Sequence, residues 1–419
     1  MDFSFSQDQK MLRSAVRQWL QQIHSPEQTR RLRENPAGFD EKRWQEIGSL
    51  GWLGLNVAEV QGGTGGSTVD AMILFEEMGR ALFPSPFLSQ WLSLTVLGRF
   101  CEEPRKSPLW ERLLNGEEIV AFADWEGGNL WDGESGAYRT TIHSRGSEWI
   151  LTGEKHWVLD GAVADHLLVT ARGDDGHPCL VLVPNNAGGV EVIPLQDAAR
   201  RRMAAIRFHD VVLNQEAMLT TGKMSDLMTG TMSNPAESGE QISWARLWGE
   251  FVHLGALAVC AELVGAGAFV LEQAVEHAKK RHQFGRPIGS FQAIQHKCAD
   301  MWIHLEASRN LLYFAAARWD ERHQDASLAV AQAKILVTES VQRVIREGHQ
   351  IFGGLGYTEE HWMPLYFRFA KEGRALFGMP DEWDRRAAEC LLDGRCFPGS
   401  LSSSLCSGNH SVQAGPHAM

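Results

Sequence analysis

Trp149-Ile150-Leu151-Thr152, His166-Leu167-Leu168-Val169-Thr170, Leu180-Val181-Leu182-Val183 and Ala205-Ile206-Arg207-Phe208 are short apolar or alternating runs, punctuated by Gly, Asp and Asn. This pattern predicts several short antiparallel strands. It marks residues 117–222 as a β domain. On either side the period changes to that of helices. Met11, Leu12, Val16 and Leu20 recur at helical spacing, as do Trp44, Ile47, Leu50 and Leu53, so residues 1–116 read as a helical domain broken at Pro26 and Pro36. Residues 245–395 are helical again in longer pieces, with Ser327–Gln350 as one continuous helix after Asp325 as cap. A β domain set between two helical ones, with the helical parts packed together, is the architecture this order implies. The Ser-, Thr-, Gly- and Met-rich run 219–244 reads as a flexible connection, and 396–419 as a disordered tail.

The 419 residues are 44% hydrophobic and 22% charged, an ordinary globular composition with room for a large core. The formal net charge of -12 argues against nucleic acid as a partner. Seven cysteines include no C-x-x-C pair, which points to a reducing compartment without disulfides or structural zinc. The opening MDFSFSQDQK lacks the regions of a signal peptide, and a cytoplasmic location is expected. The apolar stretch Phe251–Leu271 carries His253, Glu262 and many small residues, so it reads as a buried bundle helix rather than a membrane span. The histidines show no metal-ligand spacing, and no nucleophile–base arrangement stands out.

Three stretches could carry chemistry. In Lys279–Gly289 a helix ends in basic residues, turns through Gly285 and Pro287, and restarts at Ser290. Cations here complement a helix dipole, or they hold a diphosphate with Phe284 as a stacking face. Gln350-Ile351-Phe352-Gly353-Gly354-Leu355-Gly356-Tyr357 has more glycine than a helix cap requires, which suits close approach of a ligand. Gly153–Gly161 reads as a strand, in which Trp157 is either β-domain core or a wall for a flat ring system.

Together these residues resemble the acyl-CoA dehydrogenase family from about residue 1 to 390. The resemblance runs in order through Leu50-Gly51-Trp52-Leu53-Gly54, Gly62–Gly66, Glu76-Glu77-Met78-Gly79-Arg80-Ala81, Gly153-x-Lys155-x-x-Val158 with Ala164-Asp165, Arg281–Gly285 with Phe291-Gln292, and Gln350–Tyr357. It implies N-terminal helices, a central β-barrel-like domain and a C-terminal four-helix bundle. It implies FAD, held at its diphosphate and adenine end by Arg281, Phe284 and Gln292, with Gln350, Ile351, Phe352, Gly353 and Gly354 reaching a neighbouring subunit's FAD and Trp157 beside the flavin. The implied reaction is α,β-dehydrogenation of an acyl-CoA or related thioester, in fatty acid or steroid side-chain metabolism, with electron-transfer flavoprotein as acceptor. A desolvated carboxylate must remove the α-proton.

That carboxylate is missing where the resemblance places it. The common position falls on Phe377 and the less common one near Gly255; Leu159 replaces a hydroxyl residue beside the flavin. Glu250 and Glu372, each five residues away, are the remaining candidates. The departures and the 15 tryptophans suggest a bulky or atypical acyl group. They equally suit a base-less subunit of a heteromeric enzyme, and the same fold could host a flavin oxidase or monooxygenase.

Overall fold

Most of the early helices are started by a residue suited to capping. Ser6 and Gln9 form a reciprocal capping box on α1 (Gln7–Ile23), and Ser67 and Asp70 do the same on α4 (Thr68–Ala81). Pro26 opens α2 (Pro26–Glu34), where its missing N–H costs nothing. With α3 (Glu41–Ser49), α5 (Phe87–Phe100) and α6 (Pro108–Leu114), these make the N-terminal domain. The computed structural model describes residues 5–100, 107–128, 130–199, 201–219 and 244–393. Most of the 219–244 connection and all of the 396–419 tail therefore lie outside the described residues.

The middle domain is one curled seven-stranded sheet in the order β1-β4-β2-β3-β7-β6, with β5 on β4. The strands are β1 (Val120–Ala123), β2 (Thr141–Arg145), β3 (Glu148–Val158), β4 (His166–Arg172), β5 (Pro178–Pro184), β6 (Val190–Pro194) and β7 (Ala204–Leu213). The pairing is not wholly antiparallel as the sequence pattern predicts. β1 runs parallel to β4, because the β2–β3 hairpin lies between them in the chain and returns β4 in the same direction. Asp165 fixes that junction by accepting from the Ile119 N–H at 2.8 Å. In β3 the register slips between Lys155 and Val158. This bulge puts Trp157 at φ +53° and turns its side chain outward.

The C-terminal domain is a bundle of α7 (Trp244–Lys280), α8 (Gln292–Asp320), α9 (Ala326–Phe352) and α10 (Met363–Ala375), followed by α11 (Pro380–Asp393). Helix α7 is apolar enough to span a membrane, but 94% of its most apolar window is buried inside the protein. Between α7 and α8 lies a small hairpin, β8 (His282–Gln283) and β9 (Arg286–Pro287). A single 3-10 turn follows, so the next helix starts at Gln292 rather than Ser290. Asp325 sits at the N-cap of α9 without capping it; its carboxylate is taken by His323 at 2.5 Å.

Glycine lets the two helical domains touch. A Cβ on Gly265 of α7 would lie 1.8 Å from the Glu76 carbonyl oxygen of α4, and one on Gly79 would lie 2.1 Å from that of Glu262. The neighbouring Glu76 is buried and held by Arg13 at 2.6 Å, Arg309 at 3.1 Å and the Tyr313 hydroxyl at 2.7 Å. The Glu76–Ala81 motif is thus the seam between the domains.

Candidate active site

A cavity of about 1020 Å³ opens between the sheet and the bundle. One wall carries Trp125 and Trp157, with ring centroids 6.3 Å apart, together with Val158 and Leu159. Trp157 is 53% exposed, so it is not β-domain core. The opposite wall is a stack of phenylalanines. Phe122 and Phe251 lie 4.0 Å apart nearly face to face, and Phe377 meets Phe251 edge-on at 5.5 Å.

The two positions where the family resemblance places a base meet in this wall. A Cβ on Gly255 would lie 2.3 Å from Cε1 of Phe377. Glycine at one position makes room for the ring at the other, and neither can accept a proton. Phe377 stands at φ +54° and is followed by Gly378 at +95°, so the chain leaves α10 through a left-handed turn.

Of the two glutamates five residues away, only Glu372 lines the cavity. Its Oε2 accepts from the Ala199 N–H at 2.7 Å, and Nε of Arg201 stands 2.9 Å from Oε1. Burial pushes its carboxyl up to about 8; Arg201 opposes the rise, and a hydrogen bond with Asp197 adds to it. Glu250 is paired with Arg99 instead and does not line the cavity.

Sequence reading missed Asp124, a further carboxyl of the cavity. It accepts from the Tyr138 hydroxyl at 2.5 Å, and burial raises its pKa despite nearby Lys155. An aspartate ending the apolar run Val120-Ala121-Phe122-Ala123 was the available signal. Lys155, two residues before Trp157, is fully buried. It donates to Glu126 at 2.7 Å, Thr170 at 2.9 Å and the Asp124 carbonyl at 3.0 Å.

The residues expected at the diphosphate and adenine end are not part of this cavity. Arg281 and Gln292 are exposed at the base of the β8–β9 hairpin. Phe284 tips that hairpin at φ +55° and is 91% exposed. Gln350 accepts from Lys297 at 2.8 Å, Ile351 and Phe352 are buried, and the space beside Gly353 and Gly354 is open.

A bulged tryptophan over a mainly apolar cavity, a basic hairpin and a glycine-rich turn thus stand together on a helix–sheet–helix scaffold. The chain belongs to the acyl-CoA dehydrogenase family, FAD enzymes acting on CH–CH bonds: models of its N-terminal, middle and C-terminal domains match residues 6–117, 132–212 and 245–385. A probable acyl-CoA dehydrogenase of Bacillus subtilis, YngJ, is 27% identical over 88% of this chain and 94% of that protein. A glutaryl-coenzyme A dehydrogenase in complex with glutaryl-CoA superposes with TM-score 0.82 at 25% identity, covering 95% of this chain and 98% of that one. A chain of the ChsE4–ChsE5 complex from Mycobacterium tuberculosis superposes with TM-score 0.80 at 25% identity, covering 94% and 100%.

Proposed function

We propose that the chain catalyses α,β-dehydrogenation of an acyl-CoA thioester, with Glu372 as the base. The observation that carries this reading is a buried glutamate, with its carboxyl pushed up to about 8, in the wall of the cavity that Trp157 faces. A weakly acidic α-proton needs a base of this kind, desolvated and raised toward the working pH. The residues fit FAD. Phe284, almost wholly exposed on its hairpin, and the open space at Gly353 and Gly354 suit an adenine dinucleotide, with Arg281 and Gln292 for the diphosphate end and Gln350–Gly354 serving a second subunit. Bound there, FAD supplies the hydride acceptor. The protein's part is to place the thioester against the Phe122–Phe251–Phe377 wall, exclude water and take the α-proton on Glu372.

A second reading is favoured by Phe377. It fills the base position with a ring, as suits a subunit that acts only with an unlike partner; the similar ChsE4–ChsE5 structure is of a complex of two chains. The visible absorption spectrum of the chain purified alone, before and after addition of butyryl-, octanoyl- and glutaryl-CoA, separates the two. Bleaching of a flavin spectrum by one thioester supports the first reading. A flavin spectrum that none of them bleaches, or no flavin at all, refutes it and supports the second. Electron-transfer flavoprotein is the acceptor we assign to the reduced form.

A further inference from the structure

Glu372 does not stand alone. The connection between β6 and β7 crosses behind it and brings three groups to its carboxylate: Asp197, the Ala199 N–H and Arg201. Arg201 reaches further. Its Nη2 donates at 2.7 Å to Glu262 on α7, and its guanidinium lies 4.7 Å above the Phe369 ring, one turn before Glu372. Arg201 is thus clamped between two carboxylates and an aromatic face, a geometry a planar guanidinium can hold and a flexible ammonium cannot. We propose that Arg201, anchored on Glu262, is the positioning residue that aims the Glu372 carboxylate into the cavity, and that Asp197 is its counterweight. This rests on Glu372 being the base.

Other charged groups face the same cavity, where Asp124, Asp381, Glu382 and Arg385 also line the wall. Asp160, which accepts from Ser89 at 2.7 Å, also feels Arg201. Lys334 of α9 donates to the carbonyls of Gly373 at 3.0 Å and Leu376 at 2.6 Å, behind the helix rather than at the carboxylate. Lys371 is exposed. Arg201 and Asp197 therefore act on Glu372 with opposite sign. The cation favours the carboxylate, whereas the neighbouring carboxyl favours its protonated form.

The test is the pH dependence of flavin bleaching in single turnover. It uses the FAD-bound full chain and whichever of butyryl-, octanoyl- and glutaryl-CoA bleaches the native protein. The rate rises with pH as Glu372 loses its proton. In Arg201→Met the rising limb moves up by about one pH unit or more, which lowers the rate at pH 7 roughly tenfold. In Asp197→Asn it moves down, and the rate at pH 7 increases. Arg201→Lys keeps the charge and so moves the limb by less, and it covers the case in which Arg201→Met does not fold. A merely structural role would lower the amplitude in both variants and leave the limb in place. Limbs that stay fixed, or that move in the same direction, overturn the proposal while bleaching still depends on Glu372. Undiminished bleaching in Glu372→Gln overturns the assignment of the base itself.

Discussion

Replacing Lys155 with methionine removes a buried cation while keeping most of the length of the side chain. The native ammonium is fully buried, bonded to Glu126 at 2.7 Å, and sits 4.3 Å from the centre of the Tyr138 ring. The variant leaves Glu126 buried without its cation. Removing one partner of a buried pair costs about 3–5 kcal/mol. Glu126 keeps the Arg139 and Thr140 N–H donors at 2.6 and 3.0 Å, so the lower end, ~3 kcal/mol, is expected. The double variant Lys155→Met/Glu126→Gln removes both charges of the pair, but its single amide oxygen can accept from only one of those two donors, which sit on different oxygens of Glu126. It should recover part of the loss. Urea unfolding followed by tryptophan fluorescence measures Lys155→Met, Glu126→Gln and the double variant. If the two single losses add to within about 0.5 kcal/mol in the double variant, the pair is not coupled and the reasoning is wrong.

Gly265→Ala drives a methyl group 1.8 Å from the Glu76 carbonyl oxygen. A substitution that ordinarily favours a helix should here cost ~3 kcal/mol or more, seen as a large loss of thermal stability by circular dichroism. Glu250→Gln breaks only the partly exposed pair with Arg99. The bleaching rate should stay within about twofold, the pH profile should not move, and stability should fall by no more than about 1 kcal/mol. The carboxyls of Glu372 and Asp160 are raised from 4.5 to about 8 and from 3.8 to about 7. From about pH 4 to pH 8 the folded state therefore binds more protons than the unfolded chain, and these two groups make stability fall as pH rises. Glu372→Gln should remove up to about 1.4 kcal/mol per pH unit from that slope in urea titrations taken between pH 5 and 8.

Helix and strand periods carried the order of the three parts, since Val16, Leu20, Ile47 and Leu151 point inward as their spacing requires. Parallel pairing of β1 with β4 was hidden because it depends on where the chain returns, not on any local pattern. Trp157 is ambiguous in the sequence for a local reason. Alternation in a strand assigns a face, and a bulge between Lys155 and Val158 reverses that assignment without a glycine to mark it. The restart at Gln292 and the uncapped start at Ala326 show how a 3-10 turn or a nearby histidine can override a boundary signal. The missing base was legible as a substitution at Phe377 and at Gly255, but their contact was not, because they lie more than a hundred residues apart. Arg201 and Asp197 gave no sequence signal, since nothing local distinguishes a buried arginine from a solvated one.

Next to Arg201 stands Arg202, whose guanidinium turns the other way. It donates to the carbonyls of Leu32 at 3.2 Å and Arg33 at 3.0 Å, and also to that of Asn35, with its stem packed on Gly38. Two adjacent residues of one sheet connection are thus knotted into both flanking helical parts. Separating the bundle from the sheet would expose Arg201 and its carboxylates, and separating the N-terminal helices would expose Arg202 and its carbonyls. The three sections should accordingly lose structure in a single step on heating. A protease should find no folded fragment to release from the middle.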